Sequence, residues 1–295
     1  MLDGQAAIQI SDLVFRYVPG GPEVLRGINV RVDAGEFIAL IGQNGAGKTT
    51  LAKHFNGLLK PSSGTVRVLG RDTRSAPVAD LARTVGYVYQ NPDHQIFAQR
   101  VRAEAAFGPR NLGLSQTEVD RRVDEALKLV GLQDLADEFA FSLGRGQRQK
   151  LAVASVLAME PPILVIDEPT TGLDQAGSRG ILDLLSRWNA DGRTIVTITH
   201  DMTLVAERVP RTIVVNDGRI LADGPTRQVL SDTALLRAAY LRPPQATRIA
   251  QRLADLGVAS DTLTVSELYA QIEAALRARS HATRSAATEA SRRAV

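Results

Sequence analysis

Residues Gly42-Gln43-Asn44-Gly45-Ala46-Gly47-Lys48-Thr49 follow directly on the apolar run Phe37-Ile38-Ala39-Leu40-Ile41. The run reads as a buried strand, and the residues after it as a glycine-rich loop of pattern GxxxxGK[ST] opening a helix over about residues 48–55. Glycines let successive amide N–H groups turn toward a polyphosphate. Lys48 supplies a compact charge for the β- and γ-phosphates, and the Thr49 hydroxyl suits Mg²⁺. The positive end of the helix dipole points at the same anion. The segment therefore predicts binding of ATP or GTP by residues 42–49 and the adjoining Thr50.

Further on, Ile163-Leu164-Val165-Ile166-Asp167-Glu168 is an apolar strand ending in two acids. Alone it is equally an ordinary strand running into an acidic turn. Beside a phosphate loop, Asp167 becomes a support for Mg²⁺ and Glu168 a residue that orients or deprotonates water.

Outward from these segments, β-like runs cover residues 8–15, 28–32, 65–69 and 85–89, separated by Gly and Pro turns. From about residue 92 to 158 the pattern turns helical. Ser115 and Glu118 form a capping box, Leu114 and Val119 its staple, and Val119, Val123, Leu127 and Val130 line one face before Gly131. Strand and helix signals then alternate through 163–166, 180–188, 195–198 and 213–215, where Asn216-Asp217-Gly218 marks a turn. Such alternation implies a mainly parallel sheet. After Pro243-Pro244, helical signals at 247–256 and behind the capping box of Thr264 and Glu267 mark a small extension.

Composition narrows the classes. The 295 residues suffice for one large domain or two. The absence of cysteine excludes disulfides, thiolate metal sites and cysteine nucleophiles. Apolar runs such as 151–159 fall short of the ~18 residues that span a bilayer, and the acidic, polar start does not read as a signal peptide, so any membrane role is expected to be peripheral. Net charge is +3, and over residues 276–295 five arginines (Arg277, Arg279, Arg284, Arg292, Arg293) face one Glu289. This tail reads as solvated and partly disordered. Few aromatics accompany it, which argues against a nucleic-acid partner.

Together the two motifs, in this order, resemble those of the ATP-binding-cassette (ABC) ATPases, and the likeness runs from about residue 8 to residue 235. The resemblance implies an α/β phosphate-loop ATPase with an N-terminal antiparallel β layer, a mainly parallel core sheet, an inserted helical subdomain near 92–158, a C-terminal helical extension over 236–279 and a basic tail over 280–295. It also implies roles: Tyr17 stacks on adenine, Gln90 reaches Mg²⁺ and water, Asp174 belongs to the D-loop Gly172-Leu173-Asp174, and His200 contacts the γ-phosphate. Read singly, Tyr17 is equally a core aromatic, Gln90 a loop amide and His200 a surface imidazole. ATP and Mg²⁺ are the implied ligands, and a second ABC ATPase chain the implied partner.

Leu143-Gly144-Arg145-Gly146-Gln147 stands where that family has LSGGQ, the segment that faces the γ-phosphate held by the other subunit of a dimer. Losing the serine hydroxyl removes one charge-assisted hydrogen bond, about 1.5–3 kcal/mol. Either Arg145 adds charge there and compensates for the lost hydroxyl, or this face is a degenerate half of a heterodimer.

The stretch from Gln90 to Phe97, followed by Phe107-Gly108-Pro109, resembles the ATPases of energy-coupling factor (ECF) importers and their cobalt and nickel relatives. In that group the segment docks on a transmembrane coupling protein that carries a membrane-embedded substrate subunit. This assigns Asp93, Gln95, Ile96 and Phe97 to the partner contact, at the cytoplasmic face of the membrane. The alternative is that Ile96 and Phe97 anchor the loop to the core. The extension resembles the same subfamily, where it assists ATPase pairing. Other ABC transporter ATPases, and non-transport ABC proteins acting on ribosomes or DNA, are the competing readings; the latter usually carry a second cassette or long coiled-coil insertions, and neither is visible.

Overall fold

The computed structural model describes residues 5–277; the basic tail from residue 278 on, with its predicted disorder, lies outside the described residues. Among the described residues ten strands form two sheets: β1 (Ala6–Phe15), β2 (Leu25–Asp33), β3 (Phe37–Ile41), β4 (Ser63–Val68), β5 (Arg71–Asp72), β6 (Val85–Val88), β7 (Ile163–Asp167), β8 (Thr194–Ile198), β9 (Arg211–Asn216) and β10 (Arg219–Pro225). One sheet is antiparallel, in the order β2-β1-β4-β5. The other runs β10-β9-β3-β8-β7-β6 and is parallel except where the turn at Asp217 folds β10 back on β9. The predicted β layer and mainly parallel sheet are both present.

The central strands are continuous apolar runs because both their faces are covered. Ile38 and Leu40 of β3 pack against the antiparallel sheet with Val165 and Val196. Their neighbours Phe37, Ala39 and Ile41 join Leu164 and Ile166 in a second core on the helical side. Period-two alternation thus feeds two cores from one strand. The polar groups at the strand ends emerge along one edge of this sheet.

The helices are α1 (Lys48–Ala52), α2 (Val78–Ala82), α3 (Val101–Asn111), α4 (Gln116–Val130), α5 (Arg145–Leu157), α6 (Gln175–Ala190), α7 (Met202–Arg208), α8 (Thr226–Ser231), α9 (Thr233–Ala238), α10 (Gln245–Arg252) and α11 (residues 265–277). In the helical layer α3, α4 and α5 pack on one another. Ser115 caps α4 by accepting from the Glu118 amide at 3.3 Å, and Gly131 ends it in the left-handed conformation. Helix α3 falls inside the predicted helical stretch, although Gly108-Pro109 is poor helix chemistry. The structure keeps it helical: Pro109 is buried, and the bare Gly108 lies against Met159 at the end of α5.

Helices α8 and α9 add Val229, Leu230, Leu236 and Ala239 to the helical-side core, and Leu263 of the extension joins the same core. Beyond it, Ala246, Ala250, Val258 and Leu268 form a small core of their own. The capping box of α11 is formed, with Thr264 Oγ1 accepting from the Glu267 amide at 3.2 Å. Arg227 of α8 pairs with Glu267 at 2.6 Å and ties the extension to the main unit.

Candidate active site

Gly42 ends β3 at φ +154°, and a Cβ there would lie 2.1 Å from the Val215 carbonyl oxygen, so the loop can leave the sheet only through a glycine. From behind, the β9–β10 turn holds the loop: Gly218 donates its amide to Ala46 O at 3.0 Å, and a Cβ on Gly218 would strike Val24 O at 2.3 Å. Lys48 is buried, its Nζ donating to Gly42 O and Gln43 O at 2.8 Å each. Desolvation lowers its pKa, opposed by the charges of Glu168 and Asp167.

Thr49 Oγ1 donates to Asp167 Oδ2 at 2.8 Å, joining the phosphate loop to the end of β7. Burial raises the Asp167 pKa; the Thr49 hydrogen bond lowers it, the Glu168 charge raises it further, and Lys48 and Lys53 oppose. Glu168 is buried at φ +52°, its amide donating to Ile198 O at 2.8 Å. Its Oε1 lies 2.6 Å from His200 Nδ1, and its Oε2 accepts from Thr199 Oγ1 at 3.3 Å. The His200 side chain is 72% exposed, so one edge is held by Glu168 and the rest faces outward.

Tyr17 reaches over α1, its hydroxyl 2.9 Å from Thr50 Oγ1, with the ring largely exposed. Tyr17, Lys48, Thr49, Gln90, Asp167 and Glu168 line a single open cleft of about 510 Å³, within the range of small-molecule sites. Thr49, Asp167 and Gln90 offer hard oxygen donors, which fit Mg²⁺. Among the described residues no group of three or more His, Cys, Asp or Glu side chains could hold a metal. A cation at Thr49 and Asp167 would therefore complete its shell with phosphate and water oxygens, as Mg²⁺ does.

The Leu143–Gln147 segment opens α5. Leu143 is buried; Gly144 is the N-cap and donates its amide to Gln147 Oε1 at 2.9 Å. The Arg145 side chain leans along Gly172, within 3.1–3.3 Å of where a Cβ would stand. Asp174 caps α6, its Oδ1 accepting from the Gly177 amide at 2.7 Å, a structural task its sequence position did not announce.

The four residues expected at a partner divide. Gln95 points inward, accepting from the Tyr89 amide at 3.1 Å and donating to Ala152 O at 2.7 Å and Ser155 Oγ at 3.1 Å. Ile96 is buried in the helical-side core. Both positions correct the expectation: their side chains anchor the loop. Asp93 is half exposed and pairs with Arg148 of α5 at 2.8 Å, linking the segment after Gln90 to the signature helix. Phe97 is 56% exposed and meets the exposed Phe107 edge to face, centroids 4.5 Å apart. Phe107 and Arg148 carry no mark of a site residue in the sequence, since pairings across ten and 55 positions leave no local signal.

A phosphate loop after β3, an acidic pair at the end of β7, a glutamine after β6, a histidine after β8 and a helical layer entered at Gly144 define an ATP-binding-cassette ATPase. The ABC transporter family profile matches residues 25–171. The energy-coupling factor transporter ATP-binding protein EcfA of Methanocaldococcus jannaschii is 44% identical over 248 residues, covering 83% of this chain and 88% of that protein. The chain belongs to the ATP-binding proteins of ABC transporters. A putative ABC transporter ATP-binding protein of Caldanaerobacter subterraneus is 46% identical over 250 residues, 85% of this chain but only 44% of that relative's length. The structure of cbiO1 from Clostridium perfringens, described as part of the ABC transporter complex cbiONQ, superposes with TM-score 0.71 at 34% identity, covering 86% of this chain and 98% of that one.

Proposed function

We propose that this chain is the ATP-hydrolysing subunit of an ECF-type importer of a micronutrient, a vitamin or a transition-metal ion, acting at the cytoplasmic face of the membrane. The observation that carries the reading is the exposed Phe97–Phe107 pair beside the loop that starts at Gln90: an apolar contact for a membrane partner placed next to the hydrolytic site. The name of the EcfA relative and the cbiONQ complex of the structural neighbour support it. Among the described residues no helix is long and apolar enough to cross a membrane; in this reading the membrane is crossed by a coupling protein and a substrate subunit.

In this reading the polyphosphate lies on the amides of residues 42–49, Lys48 turns from its loop carbonyls to the β- and γ-phosphates, and Tyr17 stacks on the base. Mg²⁺, when bound, neutralises charge on the β- and γ-oxygens. Water attacks the γ-phosphorus as the bond to ADP breaks, and Glu168 Oε1 takes its proton, held in place by His200 and Thr199. The Gly144 end of α5 faces solvent and would contact the nucleotide of a second ATPase chain, identical or different. Closure of the pair pulls on the coupling protein through Phe97, and hydrolysis resets it.

Glu168→Gln should keep ATP affinity, lose turnover and accumulate as an ATP-bound pair visible by size-exclusion chromatography. The same variant, purified from membranes, should carry a coupling protein, a small membrane-embedded substrate subunit and either a second copy or a different ATPase. Normal turnover would remove Glu168 as the hydrolytic residue, and co-purification with ribosomes or DNA instead would overturn the transport reading.

A further inference from the structure

His54, on the turn after α1, is fully buried and takes no part in the chemistry above. Its Nδ1 lies 2.8 Å from Thr50 O; a carbonyl only accepts, so Nδ1 carries the proton. The other nitrogen, Nε2, is a buried acceptor with no hydrogen-bond partner among the described residues. Burial lowers its pKa to about 4, so the ring is neutral at physiological pH and acts by shape and by one donated hydrogen bond. Its face meets Phe15 edge to face, centroids 4.8 Å apart and planes at 82°. Phe15 meets Tyr17 in the same manner, at 4.9 Å and 82°. The Tyr17 hydroxyl returns to Thr50 Oγ1 at 2.9 Å.

These contacts form a closed ring: Thr50, His54, Phe15, Tyr17 and back to Thr50. Two of its members sit on the phosphate-loop helix and the turn after it, and the other two on or just beyond the last residue of β1. We propose that His54 is a positioning residue for nucleotide binding: through Phe15 it locks the base-stacking Tyr17 to the phosphate loop and so fixes the distance between base platform and phosphate cradle. An exposed tyrosine held only by its backbone would lose rotamer freedom on binding a base. Edge-to-face contacts of this kind stabilise the pair beyond plain burial, and a platform already in place spares that loss to the ligand. The unpartnered Nε2 is a buried polar atom that a phenylalanine would not carry. Its presence is explained if the opposite nitrogen is needed at Thr50.

The inference rests on Tyr17 being the base platform, and the test separates the two. Binding of MgATP and of magnesium tripolyphosphate, which has the phosphates and no base, is measured by competition against a fluorescent ATP analogue. In His54→Ala the ATP affinity should fall about tenfold while tripolyphosphate affinity stays within twofold of the parent. His54→Asn, which retains a donor to Thr50 O but no ring, should fall as far, and Phe15→Leu should repeat the pattern if His54→Ala does not fold. Equal weakening of both ligands would show general damage to the loop and overturn the proposal, as would unchanged ATP affinity in a folded variant. If Tyr17→Ala also leaves the ratio of the two affinities unchanged, the base-platform reading fails; if only Tyr17→Ala changes it, the reading stands and the lock fails.

Discussion

Asp167 is where binding and stability oppose each other. A carboxylate with its pKa raised by burial is penalised in the folded state in full above its folded value; the penalty shrinks as pH falls through that value and is gone below the unfolded value. Asp167→Asn keeps an oxygen for the Thr49 hydroxyl and removes the charge. The nucleotide-free variant should therefore melt at a higher temperature than the parent at neutral pH, the difference shrinking on acidification, while the stabilisation normally given by MgATP disappears; differential scanning calorimetry with and without MgATP measures both. Lys48 is simpler. Its two loop hydrogen bonds are exchanged for phosphate, so Lys48→Ala forfeits charge-assisted bonds of about 1.5–3 kcal/mol each, a loss of at least a hundredfold in ATP affinity by isothermal titration. Unchanged affinity would sink the phosphate-loop assignment.

At the scale of elements, the loop from Gln90 to Phe97 alternates between inward and outward tasks within three residues. Gln95 stitches it to α5, Ile96 anchors it in the core, and Phe97 stands outside against Phe107 of α3. Neighbouring substitutions should then fail differently. Ile96→Ala should cost about 2–5 kcal/mol of stability in denaturant titration. Phe97→Ala should leave stability and ATP binding near the parent but weaken assembly with the membrane partner by about 2 kcal/mol, as loss of a central aromatic anchor does. Pull-down from membranes measures the second effect, and a Phe97→Ala protein that unfolds easily yet assembles normally would make Phe97 a core anchor after all.

For the molecule as a whole, the decisive question is how the α5 end would work in the proposed pair of ATPase chains. A Cβ at Gly144 would have Gln147 Oε1 at 3.6 Å as its nearest neighbour, so serine fits without displacement, and the helix cap itself would change by only a few tenths of a kcal/mol. Gly144→Ser should add one hydrogen bond to phosphate across the pair, about 1.5–3 kcal/mol if fully formed, and raise ATPase activity several-fold. Arg145 leans on Gly172, so Arg145→Ala should lower turnover by loosening the D-loop rather than only by removing charge. Both are read in steady-state ATPase assays of the reconstituted complex. If neither substitution changes turnover, this face is the inactive half of a pair with a different ATPase.

The sequence by itself determined the fold class and picked out the segments that line the cleft, because these rest on local physics: the apolar run before Gly42, the Gly-Lys-Thr helix start and the acidic end of β7 each declare themselves within a few residues. The Ser115 cap and the Thr264 capping box did the same for α4 and α11, although at α4 the box is only half formed because the Glu118 carboxylate turns to Arg121 and Arg122. Only the tertiary structure decided what depends on contacts far apart in the chain. Helix α3 persists through Gly108-Pro109 because packing on Met159 outweighs a poor local propensity. Alternation in a loop cannot say which side chain points inward, so Gln95 and Ile96 were legible only once α5 lay against them. His54 gives no sign in sequence, because its meaning comes from Phe15, brought beside it from β1 by the pairing of sheets, and side-chain contact, unlike backbone propensity, is fixed by where the rest of the chain has gone.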